Sequence, residues 1–391
     1  MKPFSTTALQ IPRSGIREIM ALASEKEEVI HLEVGQPDFP TAPHIVEATC
    51  RHVRNGQTKY VHNAGVIELR EAAARYFQRK TGVTTTSQNI LITPGAVMSV
   101  ATAFMALLDP GDEVLLPDPG WPNYAMGSSL LHGKAITYNL RSENQFLPTI
   151  DDMEALITPK TKLLLLCSPS NPTGQVYGPD LMGELMAFAQ RHDLYVLSDE
   201  IYGEIVFDQK HTSALPYDTD ERTLIVSGMS KTYAMTGYRV GFTRGSVDYI
   251  QLATKLQEPI VSCGVGFAQL AAAEGLEGPQ DHVQEMRHAY KQRRDVALKV
   301  LREYNLYRYT PGGAFYLLVD ISSTGMDSRD FALRLLEEQS VAVAPGNTFG
   351  QICSNHIRIS IASSKENIRE GLHRTCKMIQ EIARNGPGRS E

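Results

Sequence analysis

The sequence predicts an α/β fold in which helices cover a mostly parallel sheet, followed by a smaller α+β domain. Short apolar runs alternate with amphipathic stretches through the middle of the chain, and strands that are apolar throughout are typical of a sheet buried on both faces. Beyond about Asp281 a long charged helix pattern leads into mixed strands and helices. We therefore expect a large domain at residues 48–280, then a long connecting helix and a small domain at 281–391. The N-terminal segment at 1–47 is expected to join the small domain.

The individual elements follow from the same patterns. The strands predicted in the large domain are 90–93, 113–116, 163–167, 194–198, 223–227 and 239–243. The clearest helices between them are 97–108, 180–192 and 247–257. For the small domain the patterns predict a helix to Tyr304, strands at 306–310, 314–320, 341–344 and 356–362, a helix at 328–339 and a last helix from Lys365.

Composition argues against several kinds of binding partner. The 391 residues carry 44 acidic and 38 basic side chains, a formal charge of −6 without long runs of one sign, so we expect no nucleic-acid or membrane partner. The five cysteines are scattered without CxxC spacing, so we expect no metal site and no disulfide framework. With no apolar stretch near the ~20 residues of a membrane span, the expected location is the cytoplasm.

Ligands of open α/β sheets bind at the carboxyl ends of the strands, so the residues that follow each strand are candidates for a site. Gly95 and Ala96 follow the strand at 90–93 and lead into a helix, whose first N–H groups suit a phosphate. A plain connecting turn is the alternative interpretation. Trp121, the one tryptophan, follows the next strand in a proline-rich loop. Its indole either packs that loop or lies against a flat ligand ring.

Three later strands are followed by residues with chemical function. Asn171 lies in a proline-rich loop and offers an amide to a ligand oxygen. Asp199 ends an apolar run, where a partly desolvated carboxylate needs a cation or caps a helix. Lys231 follows another apolar run among small residues, and a lysine that loses hydration becomes a nucleophile. Together with Arg239, eight residues further on, these residues suit pyridoxal phosphate, which needs a lysine, an acid at its ring nitrogen and a phosphate site.

The chain resembles the class I and II aminotransferases of fold type I, and in pattern the bacterial aspartate and broad-range branch. The resemblance extends from about Ile16 to the final helix. It rests on several strings in the family's order: GQPDF (35–39), TKY with AG and ELREA (58–72), TPGA (93–96), SPSNPTG (168–174), SDEIY (198–202), SGMSKTYAMTGYRVGF (227–242), PGGAFY (311–316) and HIRISIA (356–362). It implies a sheet of the seven-stranded type, pyridoxal phosphate as cofactor, and a ping-pong transfer of an amino group from an L-amino acid to a 2-oxo acid.

The resemblance also implies roles around the cofactor ring. Lys231 would carry the cofactor as a Schiff base and, once displaced by substrate, shuttle the proton at the substrate Cα. Asp199 would pair with the ring nitrogen and keep it charged. Tyr202 and Asn171 would hydrogen-bond the phenolic oxygen, and Trp121 would stack on the ring.

Further residues are assigned to the phosphate in the same way. Gly95 and Ala96 amides, Ser230 and Arg239 would hold it, and Tyr60 would reach the phosphate in the neighbouring subunit. The resemblance thus implies a homodimer with shared active sites. Many family members have a serine at the position of Gly228, which leaves Ser230 and Ser227 as candidates for the missing hydroxyl.

The substrate contacts also come from the resemblance. Arg358 would clamp the α-carboxylate through a bidentate contact, whereas an edge-strand arginine paired with an acid is the alternative. Gly35 would let its backbone approach the substrate, which Trp121 and Asn171 would contact as well. An aspartate-using relative has lysine at the position of Val97, which argues against aspartate as the best donor and leaves glutamate open.

Two other functions fit parts of the same pattern. A β-lyase would use the same fold and cofactor, and would release pyruvate and ammonia without a 2-oxo acid acceptor. Some transcription regulators carry an aminotransferase-like domain as a ligand sensor behind a DNA-binding module. The 34 residues before GQPDF show no helix-turn-helix pattern or basic patch, which favours an enzyme.

Overall fold

The computed structural model describes residues 2–12, 14–131 and 133–385. Within them the strands are β1 (Ile30–His31), β2 (Ile90–Thr93), β3 (Glu113–Asp118), β4 (Lys134–Asn139), β5 (Thr161–Cys167), β6 (Tyr195–Asp199), β7 (Thr223–Gly228), β8 (Gly241–Arg244), β9 (Tyr316–Asp320), β10 (Val341–Ala342), β11 (Ala344–Pro345) and β12 (His356–Ser360). The helices are α1 (Thr6–Gln10), α2 (Gly15–Ser24), α3 (Pro43–Arg54), α4 (Ile67–Thr81), α5 (Ala96–Leu107), α6 (Pro122–Leu130), α7 (Ile150–Glu154), α8 (Pro179–Arg191), α9 (Met229–Thr232), α10 (Val247–Val261), α11 (Gly266–Glu277), α12 (Asp281–Glu303), α13 (Ser328–Gln339) and α14 (Lys365–Asn385).

A seven-stranded sheet in the order β2-β8-β7-β6-β5-β3-β4 forms the centre of the fold. Strands β3 to β7 are paired in parallel, whereas β8 runs antiparallel to both of its neighbours, β2 and β7. The predicted α/β class with a mostly parallel sheet is confirmed. Because β8 runs against the other strands, its amino end lies at their carboxyl edge. Residues just before Gly241 therefore reach the same edge as residues just after Asp199.

The apolar runs explain why these strands lie in the middle of the sheet. Strands β2, β3 and β7 are buried along their whole length, and β5 is buried from Leu163 onward. Their side chains contribute to hydrophobic clusters on both faces of the sheet. The edge strand β4 was not predicted from the sequence. Of its side chains only Tyr138 is buried, so it lacks the apolar run that marks the other strands.

The C-terminal part of the chain forms a second, smaller sheet. Strands β11, β12 and β9 form an antiparallel sheet with β12 in the middle, and β1 pairs in parallel with β10. Helices α12, α13 and α14 cover these strands close to the predicted positions. The strand predicted at 306–310 is wrong, because no strand forms there. Its apolar Leu306 and Tyr309 instead pack into neighbouring hydrophobic clusters from an irregular segment.

Residues near the N-terminus pack with the C-terminal part. Ile19, Ala23 and Leu32 belong to the same hydrophobic cluster as α12 to α14. The Arg293 guanidinium of α12 also donates two hydrogen bonds of 2.7 Å each to the Asp38 carboxylate. A bidentate pair of this kind fixes orientation as well as distance. The segment that carries Gly35 is thereby attached on both sides to the smaller sheet and its helices.

Two features of the described residues bear on partners. None of the helices in the described part of the chain is long and apolar enough to cross a membrane. Across residues 2–12, 14–131 and 133–385, no group of three or more His, Cys, Asp or Glu side chains is arranged to hold a metal ion.

Candidate active site

The carboxyl edge of the large sheet brings together loops that are far apart in the sequence. Strand β6 ends at Asp199, and β7 leads directly into α9, which carries Lys231. The loop after β5 carries Asn171, and the loop after β3 carries Trp121 at the start of α6. Arg239 precedes β8 and reaches this edge because that strand runs in the opposite direction.

These loops and parts of the smaller sheet line a cavity of about 730 Å³ that opens to solvent. Ten residues singled out in the sequence line it: Gly35, Ala96, Trp121, Asn171, Asp199, Tyr202, Ser230, Lys231, Arg239 and Arg358. Two others do not. Gly95 is in close contact with the Arg239 guanidinium, which lines the cavity in its place. Tyr60 is 91% exposed on the outer surface. Ser227, the alternative hydroxyl to Ser230, lines a different cavity beside Glu200.

Lys231 has the properties of a nucleophilic amine. Its Nζ donates a hydrogen bond of 2.6 Å to the Gly35 carbonyl oxygen. Burial lowers the pKa of Lys231 to about 8, and the positive charges of Arg358 and Arg239 act in the same direction. Roughly a tenth of such amines are neutral at pH 7, against fewer than about one in a thousand for a lysine in water.

Asp199 is a desolvated carboxylate. Its side chain is 3% exposed, and burial raises its pKa to about 6. The Tyr124 hydroxyl donates to Oδ2 at 2.6 Å, and the backbone N–H of Ile201 donates to Oδ1 at 3.1 Å. Both hydrogen bonds favour the anion and oppose the effect of burial. The carboxylate is thereby held in one orientation, and it forms no ion pair with any of the described residues, although desolvation favours a cationic partner.

Arg358 is the largest fully buried side chain of the described structure, and it lies in the central strand β12. Its guanidinium donates to the Asn171 Oδ1 at 3.0 Å and to the Glu33 carbonyl oxygen. It also lies 4.3 Å above the centre of the Tyr316 ring. The Nε–H is buried and has no hydrogen-bond partner among the described residues. The edge-strand alternative is therefore wrong, and the side chain keeps a donor for a ligand.

Tyr202 and Arg358 are connected through Tyr316. The Tyr202 and Tyr316 hydroxyls are 2.9 Å apart, and both side chains are buried. Burial raises the pKa of both phenols, so both are neutral at physiological pH. Tyr316 thereby contacts the two groups assigned to the cofactor oxygen and the substrate carboxylate.

A recess bordered by the Arg239 guanidinium lies at the start of α5. Gly95 has a φ of +84°, a conformation that favours glycine, and a Cβ there would overlap the Arg239 guanidinium. Arg239 donates to the Thr236 carbonyl oxygen at 2.9 Å and, at 3.4 Å, to the Pro94 carbonyl oxygen. The absence of a side chain at Gly95 therefore lets the Arg239 guanidinium lie next to the first N–H groups of α5.

The structure adds three residues that the sequence argument did not select. Tyr124 lies one helical turn after Trp121 in α6. Its proximity to the site could therefore have been inferred from the sequence, once Trp121 was assigned to the site. Tyr316 is the last residue of the segment PGGAFY (311–316), but the sequence of this segment does not indicate that Tyr316 contacts Tyr202 and Arg358. Arg17 lines the cavity from α2, and only the tertiary structure brings that helix to the site.

Comparison with known proteins agrees with this geometry. The family model described as aminotransferase class I and II matches residues 27–374. The aspartate aminotransferase of Pyrococcus horikoshii is 37% identical over 376 residues, covering 95% of this chain and 96% of that protein. The aromatic-amino-acid aminotransferase 2 of Thermococcus litoralis is 37% identical, covering 94% and 96%.

A solved structure gives the same result. The aspartate aminotransferase from Thermus thermophilus with maleate superposes with a TM-score of 0.92 at 35% identity, covering 96% of this chain and 100% of that one. The chain therefore belongs to the class I and II aminotransferases, a family of pyridoxal-phosphate-dependent enzymes.

The lowered pKa of Lys231 predicts its reactivity. In the cofactor-free protein, acetylation of Lys231 by acetic anhydride should rise with pH and reach half of its maximum near pH 8, since only the neutral amine reacts. Competitive labelling from about pH 6 to about pH 11, read by mass spectrometry, measures this midpoint. The exposed Lys299 of α12 provides the internal reference. A Lys231 midpoint at a pH of about 10.4, the ordinary pKa of lysine, would contradict the desolvation described above.

Proposed function

We propose that this chain transfers an amino group from an L-amino acid to a 2-oxo acid in a ping-pong reaction, with pyridoxal phosphate held by Lys231. The observation that carries the proposal is the shared cavity of Lys231 and Asp199, one a buried amine with a lowered pKa and the other a buried carboxylate. When bound, pyridoxal phosphate supplies an aldehyde for the amine and a ring that accepts the electron pair released at the substrate Cα.

The phosphate site is supported by the recess at the start of α5. The Ala96 N–H and the Arg239 guanidinium provide a donor and positive charge for a dianion. The N–H of Gly95, predicted as a second donor, instead donates at 2.7 Å to the Thr93 carbonyl oxygen. Ser230 lines the cavity beside Lys231 and offers a hydroxyl. Of the two serines that the sequence left open, Ser230 is preferred because Ser227 faces the other cavity.

The ring site is supported by Asp199 and its fixed orientation. Asp199 would hold a proton on the ring nitrogen, which gives the carboxylate the cation that its burial demands. Tyr124 keeps Asp199 in place through its hydrogen bond. Trp121 offers an indole face to a flat ring, and Asn171 and Tyr202 offer polar groups to the phenolic oxygen.

The substrate site is supported by the buried guanidinium of Arg358. Its unpaired Nε–H and its planar fork suit the α-carboxylate. Asn171 and the Glu33 carbonyl oxygen hold the guanidinium, and Gly35 lets the backbone approach the substrate. Lys231, once free, takes the proton from the substrate Cα as a general base, and its lowered pKa suits that task near neutral pH.

The surface near Tyr60 supports a homodimer. The Val61 N–H donates to the Cys263 Sγ at 3.4 Å, so the loop with Tyr60 lies against the turn before α11. Val265 in that turn is also exposed. Exposed aromatic and aliphatic side chains on neighbouring segments are typical of an interface. Tyr60 would reach the phosphate of the neighbouring subunit across it.

The same proposal covers the organisation and setting of the chain. We propose a large cofactor-binding domain at residues 48–280 and a small domain at 281–391, which residues 1–47 join. The shared hydrophobic cluster of Ile19 and Leu32 with the C-terminal helices supports this division. We further propose a cytoplasmic location, in keeping with five free cysteines.

The half-reaction tests the proposed function. Reconstituted protein mixed with an L-amino acid should lose the absorbance of the bound aldehyde and gain that of the amine form of the cofactor, and a 2-oxo acid should reverse the change. The Asp199→Asn variant should retain cofactor but react slower by about two orders of magnitude or more, because an amide does not hold the ring proton. Release of ammonia and pyruvate without an acceptor would instead identify a β-lyase.

Shared active sites are tested by mixing two damaged proteins. A Lys231→Ala chain and a Tyr60→Ala chain should each be inactive or weak. Random exchange of subunits makes about half of the dimers hybrid, each with one intact site, so activity should rise toward a quarter of the parent's. Chains mixed under conditions that prevent exchange provide the control. Absence of recovery after exchange has been verified by mass spectrometry would argue against a role for Tyr60 across the interface.

A further inference from the structure

Three arginines line the cavity, one more than the number of anionic groups, the cofactor phosphate and the α-carboxylate, that the proposed function assigns. Lys231, Arg239, Arg358 and Arg17 line it, whereas Asp199 is the one carboxylate among its described lining residues. In the proposed function the phosphate engages Arg239 and the α-carboxylate engages Arg358. Lys231 would be occupied by its bond to the cofactor aldehyde. One guanidinium, that of Arg17, is left without an anion.

Arg17 is free to bind a ligand. It lies in the first turns of α2 and is exposed. Among residues 2–12, 14–131 and 133–385, no group accepts a hydrogen bond from Arg17 and no carboxylate forms an ion pair with it. The adjacent Glu18 illustrates the contrast, since it is paired with Arg329. An arginine that lines a cavity and has no protein partner keeps its whole fork of donors for an anion.

The wall around Arg17 is apolar. Ile16 and Met20 of the same helix line the cavity, as does Val97 at the start of α5. A substrate side chain that extends past these residues meets aliphatic surface and then a single cation. This combination suits a short aliphatic chain that ends in a carboxylate. A substrate with a neutral side chain can also bind at little cost, because the exposed Arg17 guanidinium stays hydrated when no carboxylate contacts it.

We propose that Arg17 binds the side-chain carboxylate of a dicarboxylic amino acid, and of the matching 2-oxo acid in the opposite half-reaction. This inference rests on the proposed function and extends it to a substrate class. In a ping-pong reaction the donor product leaves before the acceptor binds, so the same arginine reads both substrates. The anions of cofactor and substrate then match the cavity's three arginines one to one.

A pair of donors that differ only in charge isolates this contact. Glutamate and glutamine have the same side-chain length and shape, so the ratio of their kcat/KM values measures recognition of the carboxylate. The Arg17→Gln variant should lower this ratio by about tenfold to a hundredfold, the range for a charge-assisted hydrogen bond. Arg17→Lys should keep part of it, since the charge remains and the fork is lost. Arg369→Gln is the matched control, because it removes an exposed arginine of α14 outside the cavity.

Binding of glutarate gives a second readout that does not depend on turnover. Glutarate has two carboxylates and no amino group, whereas butyrate has one carboxylate. Calorimetry with the cofactor-loaded parent should show tighter binding of glutarate than of butyrate, and Arg17→Gln should remove most of this difference. The control variant should keep it. Higher salt should reduce the difference in the parent, because Arg17 is exposed.

The outcomes separate this inference from the proposed function. A parent that reacts with neutral amino acids but with neither glutamate nor aspartate overturns the inference and leaves the aminotransferase function intact. Equal losses for glutamate and glutamine in Arg17→Gln also overturn it, since they indicate a structural role for Arg17. If Arg17→Gln does not fold, an unchanged ratio in Arg17→Lys overturns it as well. A parent that gives no half-reaction with any amino acid overturns the proposed function itself.

Discussion

The removal of water from Lys231 and Asp199 is the condition on which the rest of the site depends. Burial in one cavity lowers the pKa of the Lys231 amine to about 8 and raises the pKa of the Asp199 carboxyl to about 6. Each shift costs folding free energy, because burial penalises the charged form of both groups. The cost is acceptable where a ligand supplies the missing partners, which in the proposed mechanism are an aldehyde for Lys231 and a ring proton for Asp199. The two arginines that lower the pKa of Lys231 are then also the anchors for phosphate and α-carboxylate.

The direction of the strands explains how these groups come together. Parallel strands deliver the residues after β5, β6 and β7 to one edge, and the reversed strand β8 delivers Arg239 to the same edge. The opposite wall comes from the smaller sheet, where the central strand β12 buries Arg358. Between them, the backbone at Gly35 lies close enough to Tyr316 that a Cβ would overlap its hydroxyl. Glycine at this position therefore lets the N-terminal segment close the cavity from one side.

Most of the fold and much of the site were predictable because both depend on local patterns. Apolar runs predicted six of the seven strands of the large sheet, and the residues that follow them included Asn171, Asp199 and Lys231. The edge strand β4 lacked an apolar run. In residues 306–310 aromatic and polar side chains alternate like those of a strand, but the segment packs without forming one, since burial of Leu306 and Tyr309 does not require sheet pairing. Tyr124 and Arg17 are recognisable only once α6 and α2 are placed against the cavity. Tyr60 lies outside the cavity of its own chain, so one chain by itself does not test its role.

Proton exchange at the substrate Cα tests the central claim, that Lys231 is the base of an aminotransferase site, most directly. Cofactor-loaded protein is incubated with an L-amino acid in deuterated water, without a 2-oxo acid, and the loss of the Cα proton signal is followed by NMR. The account predicts rapid exchange by the parent and a loss of at least about two orders of magnitude in Lys231→Ala, with cofactor content checked by absorbance. Exchange by a cofactor-loaded Lys231→Ala protein at the parent's rate would contradict it.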